Sequence, residues 1–266
     1  MRQGDGGVDR LDRIVRVMEL VSQQGREGAS LTQIGYVLEL PKASLYRLVA
    51  DMEQAGLLTH NARVNRYFLS WRVFEWATAY YAQTSYVEVL QEAVTTLTQD
   101  VQLFSYAAVL QGGRLFSVAV ATPRSFYPVY VKLGARVPLR GSAPGKVLLA
   151  QFPPERVTAW FEQEERELGF WTPTPYTQSV TTLQQEMPQI HQQGWALCRD
   201  ELELGNSAIA IPVGTPPWWV SLTIVAPTLV VAERTQELLA ALRAVGQRIS
   251  SPLDMARVVD NEGIEP

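Results

Sequence analysis

Apolar residues recur at helical spacing from near the start of the chain. Leu11, Ile14, Val15, Met18 and Val21 mark one face of a helix predicted over residues 9–23, after a loose tail at 1–8. Gly25 and Gly28 break it. Ser30 then stands where a helix N-cap belongs, ahead of the stripe Leu31, Ile34 and Leu38. Pro41 ends that segment and opens the next, since its missing N–H falls where the donor is unused. Leu45, Leu48, Val49 and Met52 form the buried stripe of a second helix, which Gly56 closes. Residues 57–59 and 67–69 flank 60–66 and read as a two-stranded hairpin. Helix, tight turn, helix and wing is an arrangement that puts one helix into a DNA major groove.

Beyond the wing the pattern changes. Trp71, Phe74, Thr78 and Tyr81 share one face of a helix over residues 71–83, while Trp76 and Tyr80 cover a second. A helix apolar on two faces wants two partners, so it reads as an interdomain linker that also packs in a dimer. A helix at 85–99 buries Val87, Leu90, Val94 and Leu97. Strands are predicted at 102–110 and 114–121, joined at Gln111-Gly112-Gly113, with a third at 127–133. Helices follow at 144–150, 154–165 and 183–193, the last closed by Gly194. Strands at 195–199, 207–213 and 218–226 precede a final helix at 232–250. Hairpins with flanking helices predict an α+β body, an antiparallel sheet covered by helices. The division expected is a DNA-binding domain at 1–69, a linker helix at 70–84, an effector-binding domain at 85–253 and a tail at 254–266.

Composition narrows this picture only a little. At 266 residues, 47% apolar and 19% charged, the chain is long enough for two domains with packed cores. Formal net charge is −4, but residues 1–69 hold nine Lys/Arg against eight Asp/Glu, which is +1 and leaves −5 for the rest. A weakly positive head on an acidic body fits nucleic-acid contact by the head. One cysteine, Cys198, and two histidines, His60 and His191, leave no disulfide framework and predict no metal site and no cofactor. The first residues lack an apolar signal core and no run approaches the roughly 20 apolar residues of a membrane span, so a cytoplasmic protein is expected.

The residues that carry chemistry sit on the second helix and the wing. Lys42, Ala43, Ser44, Tyr46 and Arg47 occupy the N-terminal face that a recognition helix presents to DNA. Lys42 suits phosphate, Ser44 a base or phosphate, and Arg47 can fork onto guanine. Arg63, Asn65 and Arg66, with Asn61 beside them, suit a minor groove or the flanking backbone. Helix-turn-helix geometry also occurs in protein-binding modules, and that alternative stays open here. Rival chemistry is thinner. Gly141 to Lys146 lacks a phosphate loop's spacing, since three residues separate the glycines and Val147 follows the lysine. A Cys198–His191 pair or Ser142 as a hydrolase nucleophile has no orienting third group and no nucleophile elbow in the sequence. The chain is therefore not expected to be an enzyme.

From Leu11 to Ile249 the sequence resembles the IclR family of bacterial transcriptional regulators. The resemblance lies in Leu40-Pro41-Lys42-Ala43-Ser44-Leu45-Tyr46-Arg47-Leu48 with Gly56-Leu57. It lies also in Gly134 to Leu139 with Ala143-Pro144-Gly145-Lys146-Val147-Leu148-Leu149-Ala150, and in Gly194-Trp195-Ala196 with Glu201, Gly205 and Ala210-Ile211-Pro212-Val213. The resemblance implies a winged helix-turn-helix joined to a GAF or profilin-like effector domain, acting as a dimer or dimer of dimers on operator DNA. Carried over by the glycines and prolines, the family's effector pocket falls on Phe126, Val129, Val137, Ala143, Pro144, Cys198, Asn206, Ala208, Thr223 and Val225, with Arg140 and Ser142 beside it. The chain departs from relatives that bind small keto acids. Cys198 stands where an acid can occur, Ala208 where a cysteine is usual, Val225 where a serine can sit, and Arg140 replaces a common histidine. Glu39 occupies a turn position often held by glycine. A lining that has traded polar groups for apolar ones predicts an effector with a sizeable apolar or aromatic body and one polar end. That end would be met by Thr223, Ser142, the start of the 143–150 helix, or an inward arginine at 124, 136 or 140.

Overall fold

Ser30 fixes the start of the first helix of the helical pair from both sides. Its hydroxyl accepts from the Gln33 N–H at 3.2 Å, and its own N–H donates to Gln33 Oε1 at 2.8 Å. Two donors that a helix start leaves without partners are thereby satisfied. The computed structural model describes residues 5–124, 131–166, 172–217 and 219–260, and the chain divides into two units, Met1–Gln83 and Thr84–Pro266.

The first unit holds α1 (Asp5–Gln24), α2 (Leu31–Leu38), α3 (Lys42–Gln54), a hairpin of β1 (Leu58–Asn61) and β2 (Arg66–Leu69), and α4 (Trp71–Gln83). Its core takes Val21, Ile34, Leu38, Leu45, Leu48, Val49 and Met52 from the predicted stripes together with Leu58 of the wing, but on the first helix it buries Val17, which the stripe did not include, and leaves Leu11 and Val15 exposed. Helix α1 begins at Asp5, so part of the segment expected to be loose is helical. Extending a helix already nucleated at 9–23 is cheap, even through Gly6 and Gly7. Ala29 adds a bridge to the wing, exchanging backbone hydrogen bonds of 2.9 and 2.8 Å with Tyr67. Between α2 and α3, Glu39 takes the left-handed position, φ 52° and ψ 34°, with its N–H on Gly35 O. A non-glycine residue there costs on the order of 1 kcal/mol.

The second unit is a six-stranded antiparallel sheet in the order β5-β4-β3-β8-β7-β6. Its strands are β3 (Phe104–Gln111), β4 (Arg114–Ala121), β5 (Arg136–Val137), β6 (Ala196–Arg199), β7 (Asn206–Val213) and β8 (Val220–Pro227). The β3–β4 turn is glycine at both positions, Gly112 at φ 56° and Gly113 at φ 73°, the combination that a two-residue hairpin needs. A bulge between Ala107 and Ala108 shifts the β3–β4 register. The strand expected at 127–133 is not found in its described part. Residues 127–130 lie outside the described residues, and 131–133 are not strand. The pairing falls to β5 instead, because the chain turns at Gly134 and residues 134 and 135 take both backbone hydrogen bonds of Ser117.

Side chains alternate across a strand, so each face of this sheet has its own cover. Helices α5 (Ser85–Val101) and α9 (Thr228–Asp260) pack on Ala107, Val109, Ile209, Ile211, Leu222 and Ile224. Helices α6 (Ala143–Leu149), α7 (Pro154–Arg166) and α8 (Val180–Gln193) belong to the other face, with Phe104, Tyr106, Ala108, Ala196, Cys198 and Ala210. Helix α9 runs past residue 250, so 254–260, expected as tail, is helical. Leu253 is buried there, and Asp254 accepts from Thr215 N at 2.9 Å and Thr215 Oγ1 at 3.1 Å.

Candidate functional site

Helix α3 is anchored by one face and presents the other. Leu45 and Leu48 are buried, while Lys42, Ala43, Tyr46 and Arg47 are exposed and Ser44 is half-buried. Arg63 and Asn65 are exposed on the wing. Asn65 shapes the turn itself, with φ 51° and its Oδ1 3.0 Å from His60 Nε2. Arg66 is held back from the surface, its Nη1 donating to Gln33 Oε1 at 2.7 Å. One glutamine thus caps α2 and ties the wing to it. Gln33 is a positioning residue that the sequence reading passed over, although the Ser-x-x-Gln spacing announces it.

In the body, strand parity gathers most of the carried-over pocket positions on one face. Val137, Ala143 and Cys198 are buried in one cluster, with Ala208 and Val225 packed against it. Thr223 pairs in register with Tyr106 on one side and Ala210 on the other, which sets it among them. Pro144 is buried within α6. Phe126 and Val129 lie outside the described residues. Asn206 opens β7, half-buried, and donates to Glu203 Oε2 at 3.0 Å. Arg140 pairs with the exposed Glu165 at 3.4 Å. Arg136 and Arg140 also lie near the buried Glu164, whose carboxylate accepts from Leu139 N at 2.7 Å. Burial pushes the Glu164 pKa up, and that hydrogen bond and the two arginines pull against it.

The start of α6 is spent on itself. Ser142 accepts from Gly145 N at 3.1 Å and donates to Pro138 O, while Pro144 has no N–H to offer. The chain passes so close here that a Cβ on Gly145 would sit 2.1 Å from Leu139 O. Lys146, 1% exposed, forms an ion pair with Glu201, 5% exposed, and donates to Gln178 Oε1 at 2.8 Å. The Gln178 N–H reaches the other Glu201 oxygen at 3.3 Å. Lys146 therefore closes a buried bridge across α6, the segment before α8 and the loop after β6, and has no phosphate role.

Cys198 donates to Gly141 O at 2.9 Å. Burial, then the charge of Glu201, push its pKa from 9.0 to about 12. Such a thiol is protonated at neutral pH and is no nucleophile. His191 stands on the exposed end of α8. With Ser142 committed to its cap, neither rival nucleophile is assembled. Tyr106 is likewise buried, and burial raises its phenol pKa. Among the described residues no group of His, Cys, Asp and Glu could hold a metal, and no helix is long and apolar enough to cross a membrane. Tyr106 and Ser221 also belong to the polar content of this face, and the sequence reading missed them. Strand alternation from Thr223 would have found Ser221, whereas Tyr106 is brought beside Thr223 only by the β3–β8 register.

Comparison with known proteins places these features. The IclR helix-turn-helix domain matches residues 10–62, and the C-terminal domain of IclR bacterial transcriptional regulators matches residues 78–251. The DNA-binding transcriptional repressor YiaJ of Escherichia coli is 25% identical over 260 residues, covering 95% of this chain and 90% of its own. The Pca operon regulatory protein of Acinetobacter baylyi is 24% identical over 210 residues, covering 77% of this chain and 74% of its own. Among solved structures, an IclR homologue from Microbacterium hydrocarbonoxydans complexed with 4-hydroxybenzoate shares the fold, with TM-score 0.75 and 20% identity over 92% of this chain and 99% of that one.

Proposed function

The chain belongs to the IclR family of bacterial transcriptional regulators, and from that premise we propose that it controls an operon for the metabolism or transport of small organic, aromatic compounds. It is a ligand-responsive DNA-binding regulator rather than an enzyme. The observation that carries the DNA-binding reading is the outward face of α3, where Lys42, Tyr46 and Arg47 are exposed around an anchored Leu45. Lys42, Ala43, Ser44, Tyr46, Arg47 and Arg63 meet the duplex, while Asn65 and Arg66 shape and hold the wing. The sheet face with Val137, Ala143, Cys198, Ala208, Thr223 and Val225 receives the effector. A relative that holds 4-hydroxybenzoate and one that regulates a Pca operon support an aromatic body for it.

The regulator works in the cytoplasm as a homodimer or dimer of dimers. Residues 1–69 bind DNA, 70–84 link, and 85–253 sense the effector. Trp71, Phe74 and Trp76, each more than half exposed on α4, support self-association through that helix. A two-fold protein implies a roughly palindromic operator. Effector and operator then change each other's affinity by the same factor.

Selection from randomised duplex DNA tests the assignment. Arg47→Ala relaxes sequence preference and Lys42→Ala weakens binding evenly across sequences, each by a factor of about ten. Binding weakens steeply with added salt as counterions are released. Salt-insensitive binding without a selected sequence would make the head a protein-interaction module instead.

A further inference from the structure

The effector face keeps a hydroxyl that no described residue satisfies. Ser221 Oγ is wholly buried and has no hydrogen-bond partner among the described residues, and the equally buried Thr223 Oγ1 has only the Tyr106 phenol to turn to. An under-satisfied buried hydroxyl is costly, and one strand here carries Ser221 and Thr223 at alternate positions, aimed at the same face. Their neighbours across the sheet include small side chains: Ala210 beside Thr223, and Ala108 beside Ser221. The face remains partly open at Val120, Ala208 and Val225, the last of these two residues from Thr223 on the same side of β8. These are the features of a surface that is completed by a molecule from outside.

Charge decides what kind of molecule. Lys146 is the buried cation among the described residues, and it is spent on Glu201 and Gln178. Arg140 is spent on Glu165, and the first turn of α6 on Ser142. Glu201 and Lys146 act on the Cys198 thiol in opposite directions, as a pair that leaves no charge to spare. Among the described residues of this face a carboxylate would meet no cation that is not already paired, and burying an ion unpaired is heavily disfavoured. Hydroxyls, by contrast, both donate and accept, and suit a neutral polar group.

We propose that the effector is an uncharged ring compound whose polar group, a hydroxyl, ketone or carboxamide, hydrogen-bonds Thr223 and Ser221. The inference rests on the reading of this face as the effector site. It sets this chain apart from the relative that holds an aromatic acid.

Isothermal titration of the full-length protein with 4-hydroxybenzamide and 4-hydroxybenzoate compares one ring with and without the charge. The amide is expected to bind at least about tenfold more tightly. Thr223→Val, which keeps the shape and removes the hydroxyl, leaves the unliganded melting temperature unchanged or higher and weakens the amide about fivefold or more. Ser221→Ala provides the same reading if the first variant does not fold. Benzoate binding as tightly as the amide, or neither probe binding at millimolar concentration, overturns the proposal. So does an amide affinity indifferent to both substitutions. Salt-sensitive operator binding is measured on the same protein without probe. Its loss would sink the regulator reading itself, whereas its persistence beside a preference for benzoate sinks only the neutral effector.

Discussion

Leu222 and Thr223 are neighbours on β8 and point to opposite faces of the sheet, into surroundings that differ in kind. Leu222 meets Ala107, Ile209 and Ile211 under α5 and α9, a face of branched aliphatics closed by Leu90, Leu97, Leu238 and Leu242. Thr223 lies between Tyr106 and Ala210 on the face that also carries Ala108 and Cys198, a buried Lys146–Glu201 pair, and the unsatisfied Ser221 hydroxyl. Among the described residues the first face has one comparable defect, Ser105, in an otherwise apolar core. The second also carries a buried ion pair and a buried thiol, each of which costs folding energy. Proteins keep such costs where a site needs them. The sheet thus separates holding from sensing across the thickness of one strand.

Substitutions can break that contrast, beginning with the largest effect. Lys146→Met leaves Glu201 buried without its counter-charge and costs about 3–5 kcal/mol in urea denaturation, most of it recovered by adding Glu201→Gln. A loss below 1 kcal/mol, with no recovery, would mean the bridge is solvated and structurally idle. Leu222→Ala on the filled face costs about 2–5 kcal/mol, yet leaves probe affinity within a factor of about two. Ala208→Leu runs the other way. If the second face has room, stability falls by less than about 1 kcal/mol while probe binding is lost, whereas an ordinary core would lose about 1–3 kcal/mol to overpacking.

The smallest effect concerns Cys198. Its folded pKa of about 12 lies above the ordinary 9.0, so between those values the unfolded chain gives up its proton first. The contribution of the protonated thiol is full below pH 9 and is lost as pH rises toward 12. Cys198→Ala should flatten that alkaline loss of stability. Iodoacetamide should also leave the native thiol unmodified at pH 8, and labelling at the rate of an exposed cysteine would contradict the burial assigned to it.

Much of the architecture was legible in the chain. The stripes Leu45, Leu48, Val49 and Ile34, Leu38 gave the helical pair, because a small domain must bury the side of each helix that repeats. Gly112-Gly113 gave the first hairpin, because few residues but glycine adopt two successive positive φ values. Less legible were features set by partners distant in sequence. The apolar run at 127–133 looked like a strand, but the pairing with β4 was taken by Arg136 and Val137. Glu39 holds a left-handed turn despite its propensity, since the closing bond to Gly35 outweighs the local cost. Lys146 and Glu201 are far apart in the chain, and nothing local announces their bridge. In the site, Arg140 looked available for an effector, but Glu165 competes for it. Arg66 looked like a DNA contact, and its bond to Gln33 was invisible without the fold.

The central claim is that a ligand on the second face changes the grip of α3 on DNA. Fluorescence anisotropy of the full-length protein on its selected duplex, with and without saturating 4-hydroxybenzamide, tests this directly. The account predicts a salt-sensitive affinity that the amide shifts by about five- to 150-fold, with Thr223→Val removing most of the shift and leaving the unliganded affinity intact. An operator affinity unchanged by an amide that calorimetry shows to be bound would contradict it.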